Sequence, residues 1–239
     1  MVNKSLNCIL IGDESLLVQC AEILRDRGHS ISAIVTESPE IRSYAGKKSI
    51  KAAGWGENLE TTLVDIEYDW LFSAANLRII PEPVWRKATA GAANFHDGPL
   101  PRYAGLNAPA WAILEGENLH GVTWHAIAAA VDEGLIYVQE TFDIAPGETA
   151  LTLNSKCFET GTSTFATLLQ QIETGTLSGQ PQDLTQRRYF TKAQRPSAAA
   201  TLRFDQSAEE LDRLVRGLDF GAGYANPLLM PKLRCAQGI

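Results

Sequence analysis

The sequence is organised around one stretch, Asn94-Phe95-His96-Asp97-Gly98-Pro99-Leu100-Pro101-Arg102-Tyr103-Ala104-Gly105. The apolar residues 92–95 lead into it and predict the end of a buried strand. Because successive side chains of a strand alternate between its two faces, Asn94 and His96 should point the same way. The prolines and glycines that follow predict an irregular loop.

A carboxylate joins this pair from a second apolar segment, residues 128–134, which contains Asp132. Enzymes built on open α/β sheets keep their chemistry at the ends of buried strands, where these side chains are predicted to lie. An asparagine N–H can stabilise an oxyanion, a histidine can move protons near neutral pH, and an aspartate can orient the histidine. No serine or cysteine nucleophile accompanies them, which favours direct attack by the substrate's own nucleophile.

Each of these residues also has a structural interpretation. A buried histidine is usually a satisfied core residue, and Asn94 or Asp132 alone could cap a turn. The combination of the three is the stronger indication. His120 and His125 flank the next predicted strand without a metal-ligand spacing, and the sequence assigns them no chemistry.

Composition excludes several classes of protein. The chain has 239 residues, of which 45% are hydrophobic and 21% charged, as in ordinary globular domains. No apolar run reaches membrane-spanning length. Four widely spaced cysteines, Cys8, Cys20, Cys157 and Cys235, indicate free thiols in a reducing cytoplasm rather than a zinc site. The net charge of −7 argues against a polyphosphate partner such as a nucleic acid.

The first part of the chain predicts a β-α-β unit, with strands at 7–12 and 31–35 and a helix at 14–27. Gly12 is the only glycine of the first turn, so the dinucleotide fingerprint is missing and Gly12 is interpreted as a plain turn glycine. Further strands are predicted at 69–74, 92–95, 121–127 and 135–142, the last two antiparallel. Helices are predicted within 37–56, near 83, and at 108–114, 149–175 and 207–218.

Four motifs together carry a family resemblance: Asn94-x-His96, Leu100-Pro101-Arg102-Tyr103-x-Gly105, Gly121-Val122-Thr123 and Asp132-x-Gly134. They resemble the 10-formyltetrahydrofolate-dependent formyltransferase family, in order from about residue 7 to 175. The resemblance implies an α/β, Rossmann-like formyltransferase fold with a short C-terminal extension or subdomain. Residues 1–180 would form the catalytic domain, and residues 181–239 a linker, a helix and the start of the subdomain.

The resemblance also implies roles for individual residues. Asn94, His96 and Asp132 match the family's catalytic residues, and the formyl donor would be 10-formyltetrahydrofolate. Asn94 and protonated His96 would stabilise the oxyanion as a neutral amine attacks the formyl carbon, and Asp132 would orient His96 or accept the amine proton through water. No metal is expected. The pterin pocket would be lined by two segments: Leu77, Arg78, Ile79, Ile80, Ala129, Ala130 and Val131.

The chain departs from the family pattern beside the histidine, where Asp97 adds a carboxylate and Gly98-Pro99 replaces the common Ser-Leu. Residues 37–44 are short and mixed in charge where the tRNA-modifying members carry a long basic insertion. The variant is similar to formyltransferase domains of nonribosomal peptide synthetases. The expected acceptor is therefore an aminoacyl group on a phosphopantetheinyl carrier protein, within a larger multidomain chain.

Three alternatives stay open from the sequence. The chain could resemble methionyl-tRNA formyltransferase in its acceptor. It could be a formyltetrahydrofolate hydrolase, because the same three residues serve both reactions. It could also be a catalytically silent domain, an alternative that Asp97 keeps open.

Overall fold

The computed structural model describes residues 5–56, 58–222 and 225–234. Within them lies a seven-stranded sheet of order β3-β2-β1-β4-β5-β7-β8. The first five strands in that order are parallel, and β7 and β8 are antiparallel to their neighbours. The sheet strands are β1 Asn7–Ile11, β2 Ser30–Val35, β3 Lys51–Ala53, β4 Trp70–Ser73, β5 Gly91–His96, β7 Leu119–Ala126 and β8 Ile136–Asp143. Four short strands pair outside it: β6 Ala104–Gly105, β9 Tyr189–Phe190, β10 Thr201–Leu202 and β11 Lys232–Leu233.

Helices cover both faces of the sheet. They are α1 Ser15–Asp26, α2 Pro39–Lys47, α3 Leu59–Thr62, α4 Glu82–Arg86, α5 Ala108–Leu114, α6 Ala150–Thr174 and α7 Ala208–Gly217. The apolar sides of α1, α2 and α6 share one core with the sheet, and α3 and α4 share a second core on the opposite face. This arrangement confirms the predicted α/β, Rossmann-like fold.

The predicted β-α-β opening is present, and the chain reverses its direction of winding after β3. It moves outward from β1 through β2 to β3, then returns to place β4 and β5 on the other side of β1. Ligands of open α/β sheets bind at such a switch point, at the carboxyl ends of the strands. The ends of β1, β4 and β5 lie at this edge because Ile11 pairs with Ser73 and Ser73 pairs with Asn94.

Sequence reasoning missed two elements of this half, β3 and α3. The segment 37–56 was predicted to hold one short helix, which is α2, and the three residues of β3 follow it. Strands this short are specified by their neighbour rather than by their own pattern, and β3 pairs in parallel with β2 at Ala33, Ile34 and Val35.

Gly12, interpreted from the sequence as a plain turn glycine, lies where the backbones of β1 and the segment after β4 approach too closely for a side chain. It has φ +155°, and a Cβ at this position would lie 1.9 Å from the Ala74 carbonyl oxygen. Gly12→Ala is therefore expected to lower the free energy of unfolding by about 3 kcal/mol, because the backbones of β1 and β4 would have to separate. Urea unfolding measures this loss.

Gly46→Ala is the matched control for that measurement. Gly46 lies inside α2 with open space around its Cβ position, so alanine should raise stability by about 0.5–1 kcal/mol. Equal unfolding midpoints for the two variants would contradict the close approach at Gly12.

The antiparallel strands β7 and β8 add a feature that a purely parallel sheet lacks. Strand β7 runs back along β5, so that His125 pairs with Asn94 and Thr123 pairs with His96. The predicted pairing of β7 with β8 is also confirmed. The antiparallel register thereby sets His125 opposite Asn94 at the end of β5.

The C-terminal segment contacts the preceding part of the described chain. Strand β9 pairs with β6 through Tyr189 and Phe190, and α7 packs against α5. A third apolar cluster joins Phe190, Ala200 and Leu218 to α5 and the start of α6. The division of the chain after residue 180 stays a prediction. Cys235 lies outside the described residues.

Candidate active site

A cavity of about 780 Å³ opens at the switch point of the sheet. The predicted catalytic residues Asn94, His96 and Asp132 line it together. So do all the residues predicted for the pterin pocket: Leu77, Arg78, Ile79, Ile80, Ala129, Ala130 and Val131. The fold therefore brings every predicted site residue to one cavity, although their roles remain predictions.

His96 is buried at the end of β5, with 5% of its surface exposed. Its Nε2 lies within hydrogen-bond distance of the Tyr103 carbonyl oxygen, which can only accept, so Nε2 carries the proton. Its Nδ1 lies 3.7 Å from Asp132 Oδ2 and 3.8 Å from Asp97 Oδ1. The nitrogen free for chemistry is therefore Nδ1, and two carboxylates flank it.

Asp132 is fixed by its backbone and by its partners. It has φ +57°, a left-handed conformation that aspartate tolerates better than most residues. Its Oδ2 accepts a hydrogen bond of 2.8 Å from the Gly105 backbone N–H. Two residues on, a Cβ at Gly134 would lie 1.8 Å from the Ala126 carbonyl oxygen, so the turn requires glycine there.

The charge of Asp132 is stabilised despite its burial. Burial alone would raise the pKa of this carboxyl, but His96, His125 and the Gly105 N–H outweigh it and hold the pKa well below its usual range. Asp132 is thus an ionised group that orients its neighbours. A carboxylate with so low a pKa is a weak base.

His125, to which the sequence assigned no chemistry, belongs to the site. Its Nδ1 donates to the Ala126 carbonyl oxygen at 2.9 Å, so its neutral ring can accept at Nε2. That Nε2 lies 3.1 Å from Asn94 Nδ2 and 3.5 Å from Asp132 Oδ1. The signal that could have revealed it is the antiparallel register, which sets His125 opposite Asn94.

His120, by contrast, is structural. It is fully buried, and its Nε2 donates to the Asp97 carbonyl oxygen at 2.8 Å. Burial lowers the pKa of His120 to about 4, so the ring is neutral near pH 7. It supports the backbone beside the site without lining the cavity.

The amide of Asn94 is engaged by the protein. Its Nδ2 lies 3.0 Å from the Phe95 carbonyl oxygen and 3.1 Å from His125 Nε2, so each acceptor takes one N–H. The predicted donation to a substrate oxyanion thus requires that one of these bonds be exchanged for a bond to the substrate. Because His125 Nε2 lies within hydrogen-bond distance of Asn94 Nδ2, the two residues form one hydrogen-bonded unit.

The predicted pterin loop carries exposed apolar side chains. Leu77 and Ile79 are 83% and 74% exposed, and Val131 across the cavity is 38% exposed. Asn76 holds the loop by pairing with both the N–H and the carbonyl oxygen of Arg78, each at 2.9 Å. The loop thus presents an ordered apolar surface to the cavity.

Another part of the cavity lining was not predicted from the sequence. It contains Asp13 and Glu14 from the turn after β1, and Asn154, Ser155 and Phe158 from the first turns of α6. Burial and the nearby Asp13 raise the pKa of Glu14. Within the described ranges, no group of three or more histidine, cysteine, aspartate or glutamate side chains could hold a metal ion.

A protein-family model described as "Formyl transferase" matches residues 20–169, which is more than half of the chain. The chain belongs to the formyl transferase family. The predicted family resemblance is therefore confirmed. The matched region contains Asn94, His96, His125 and Asp132.

One individual relative of this formyl transferase family member is a methionyl-tRNA formyltransferase. The chain is 32% identical over 152 residues to this methionyl-tRNA formyltransferase of Desulfotalea psychrophila, covering 63% of this chain and 46% of that protein. The chain thus spans about half the length of this relative. The similarity to nonribosomal peptide synthetase domains has no counterpart among these relatives.

Solved structures share the fold. An N-formyltransferase from Helicobacter canadensis, in complex with folinic acid and dTDP-3-aminofucose, superposes with TM-score 0.74 at 22% identity, covering 90% of this chain and 80% of that one. A 4-N formyltransferase from Francisella tularensis superposes with TM-score 0.78 at 14% identity, covering 98% and 94%. At these identities the similarity establishes the fold alone.

Proposed function

We propose that this formyl transferase family member is an enzyme that moves a formyl group from 10-formyltetrahydrofolate to an amine. The observation that carries the proposal is the convergence of Asn94, His96 and Asp132 on the same cavity as the apolar loop at Leu77 and Ile79. One site thus has the side chains for acyl-type chemistry and a surface for a flat heteroaromatic group.

The donor would bind against the loop and the segment Ala129 to Val131. Exposed Leu77, Ile79 and Val131 would cover the faces of the pterin, and backbone groups of the two segments would pair with its edge. Folinic acid, a formylated tetrahydrofolate, is bound by the Helicobacter canadensis enzyme of the same fold. The bound donor would supply the activated formyl group.

The chain's own residues would then stabilise the transfer. Protonated His96 would donate from Nδ1 to the oxygen that becomes an oxyanion, since its Nε2–H is held by Tyr103. Asn94 would add a second donor after exchanging one of its protein hydrogen bonds. Asp132 would orient His96 through its contact with Nδ1.

For the acceptor we propose an aminoacyl group on a phosphopantetheinyl carrier protein, as part of a peptide assembly line. Among the described residues that line the cavity, Asp13, Glu14, Asp97 and Asp132 are carboxylates. The permanently charged cation of that set is Arg78, which is 3.8 Å from Glu37. Such a wall favours an amine on a neutral pantetheine arm over a phosphate held close to the reacting nitrogen.

The experiment is incubation of the purified chain with 10-formyltetrahydrofolate and a panel of amines, read by mass spectrometry. The panel holds an aminoacyl carrier protein, methionyl-tRNA, a dTDP-amino sugar and free amino acids. A formyl group gained by the carrier-bound amine supports the full proposal. Transfer to tRNA or to the sugar overturns the acceptor but keeps the chemistry.

The remaining outcomes overturn the proposal. Formate release that does not depend on any amine would identify a hydrolase. Donor binding without any product would identify a silent domain.

We also propose a cytoplasmic location. It is supported by the three described cysteines, Cys8, Cys20 and Cys157, which are buried free thiols, as expected where the surroundings are reducing. Within the described residues, no helix combines the length and the apolar character needed to cross a bilayer.

A further inference from the structure

Asp97 is a second carboxylate beside His96, and it lines the cavity. It directly follows His96, and its Oδ1 lies 3.8 Å from His96 Nδ1. Its side chain is 28% exposed, whereas that of Asp132 on the other side of the same nitrogen is 8% exposed. The imidazole is thus flanked by one buried carboxylate and one that opens to the cavity.

The pKa values of the two carboxyl groups are shifted in opposite directions. Removal from water raises the pKa of Asp97, and the negative charge of Asp132 adds to this, although His96 opposes it. The pKa of Asp132 is instead lowered by His96, His125 and Gly105. When the pKa values of two carboxyl groups in one site are shifted in opposite directions, the group with the raised pKa is the better proton carrier.

We propose that Asp97 carries the proton from the attacking amine to the leaving nitrogen of the folate, an inference that rests on the proposed formyl transfer. The amine lone pair forms the new C–N bond, and the carbonyl electron pair moves to oxygen. The Asp97 carboxylate accepts the proton that the attacking amine nitrogen loses. As the oxygen electron pair returns, the bond to N10 breaks, and the Asp97 carboxylic acid gives its proton to N10.

Asp132 is unsuited to this task because its oxygens are already occupied. Oδ2 accepts from Gly105 and faces His96, and Oδ1 faces His125. Protonation of Asp132 would disrupt these contacts. Asp97 leaves the proton balance of the site unchanged after each turnover, and its exposure lets it reach the reacting nitrogen atoms.

The groups packed around Asp97 set the expected pH dependence. His96 lies on the same strand and Asp132 on the loop after β7. From β7, His120 donates to the Asp97 carbonyl oxygen, and its pKa is lowered to about 4. From α6, the Cys157 Sγ lies 3.8 Å from the same oxygen, and burial raises the pKa of this thiol well above its ordinary value. His120 and Cys157 therefore keep their charge state between pH 5 and 9.

The test compares Asp97→Asn, Asp97→Glu and the wild type in single-turnover formyl transfer to one amine across pH 5 to 9. A general base with a raised pKa gives a rate that falls as pH drops through that pKa. Asp97→Asn should lose this acidic limb and about 10²-fold in kcat. Asp97→Glu should keep the limb at a shifted pH. Binding of the formylated folate should be unchanged in both.

The matched control is Glu133→Gln. Glu133 is the residue after Asp132, its side chain is 32% exposed, and it pairs with Arg187 rather than with the residues that line the cavity. Its rate and pH profile should equal those of the wild type. This control separates loss of a nearby negative charge from loss of the proton carrier.

Two outcomes would overturn the role of Asp97. One is an Asp97→Asn enzyme whose rate lies within a few-fold of wild type with an unchanged acidic limb. If that variant fails to fold, an Asp97→Glu profile that superposes on the wild-type profile overturns it equally. A wild-type chain that transfers formyl to no amine would instead mark the failure of the proposed function.

Discussion

Replacing His96 by alanine is expected to lower kcat for formyl transfer about 10³-fold while the chain still folds and binds the folate. The expectation follows from its position. Nε2 of His96 is tied to the Tyr103 carbonyl oxygen, so Nδ1 is the nitrogen left for the proposed donation to the oxyanion. Removal of the imidazole should destabilise the transition state more than it weakens the binding of the substrates.

His29→Asn is the matched control for this experiment. His29 is buried to the same degree as His96, at 7% against 5% exposure, but it bonds Leu6 and Glu173 away from the cavity. Its turnover per folded molecule should equal that of wild type. Single-turnover assays on both variants, with circular dichroism to confirm folding, make the comparison. A His96→Ala rate within a few-fold of wild type would remove His96 from the mechanism.

Asp132→Asn is expected to lower the rate about 10²-fold and to change its dependence on pH. Asparagine can still accept from the Gly105 N–H, so the backbone of the loop is kept. It cannot supply the negative charge that faces His96 Nδ1 in the wild type. The pH profile of the variant should therefore differ from that of the wild type.

The same substitution should reveal the charge of Asp132 in stability. A carboxyl whose pKa is lowered by folding stabilises the native state above its unfolded pKa, and this contribution is lost as pH falls toward the folded value. The variant should be less stable than wild type at pH 7 by about 2 kcal/mol. Urea unfolding should show the difference shrinking below about pH 4.

An unchanged pH profile together with an unchanged stability difference from pH 7 to pH 3 would contradict this account. Asp132 would then be a neutral structural residue of the turn. Loss of stability with an unchanged rate profile would assign it to the fold alone.

The sequence predicted the parts of the fold that local pattern specifies. Apolar runs revealed β1, β2, β4 and β5, and helical spacing revealed α1 and α6, because these elements bury whole faces. Strands β3, β6 and β9 escaped because each has two or three residues and exists through pairing with a neighbour. Tertiary contacts, not propensity, decide such strands.

The site residues likewise fall into two groups, those that local sequence pattern reveals and those that tertiary contacts bring into the site. Asn94 and His96 follow from alternation along a single strand, and Asp132 follows from a second apolar segment that it interrupts. His125 could not be found in this way, because its role arises from the antiparallel register of β7 on β5. Asp13 and Glu14 were missed for a related reason. Their part of the cavity lining forms only when the end of β1 is brought beside the end of β4.

Calorimetric titration with folinic acid measures whether the cavity beside His96 binds a formylated tetrahydrofolate. We expect saturable binding of one ligand per chain, with a negative heat-capacity change from burial against Leu77, Ile79 and Val131. Tetrahydrofolate should compete, and Val131→Asp should weaken binding at least tenfold, because a carboxylate would face the pterin. The absence of binding heat at millimolar folinic acid, measured at two temperatures, would contradict the account.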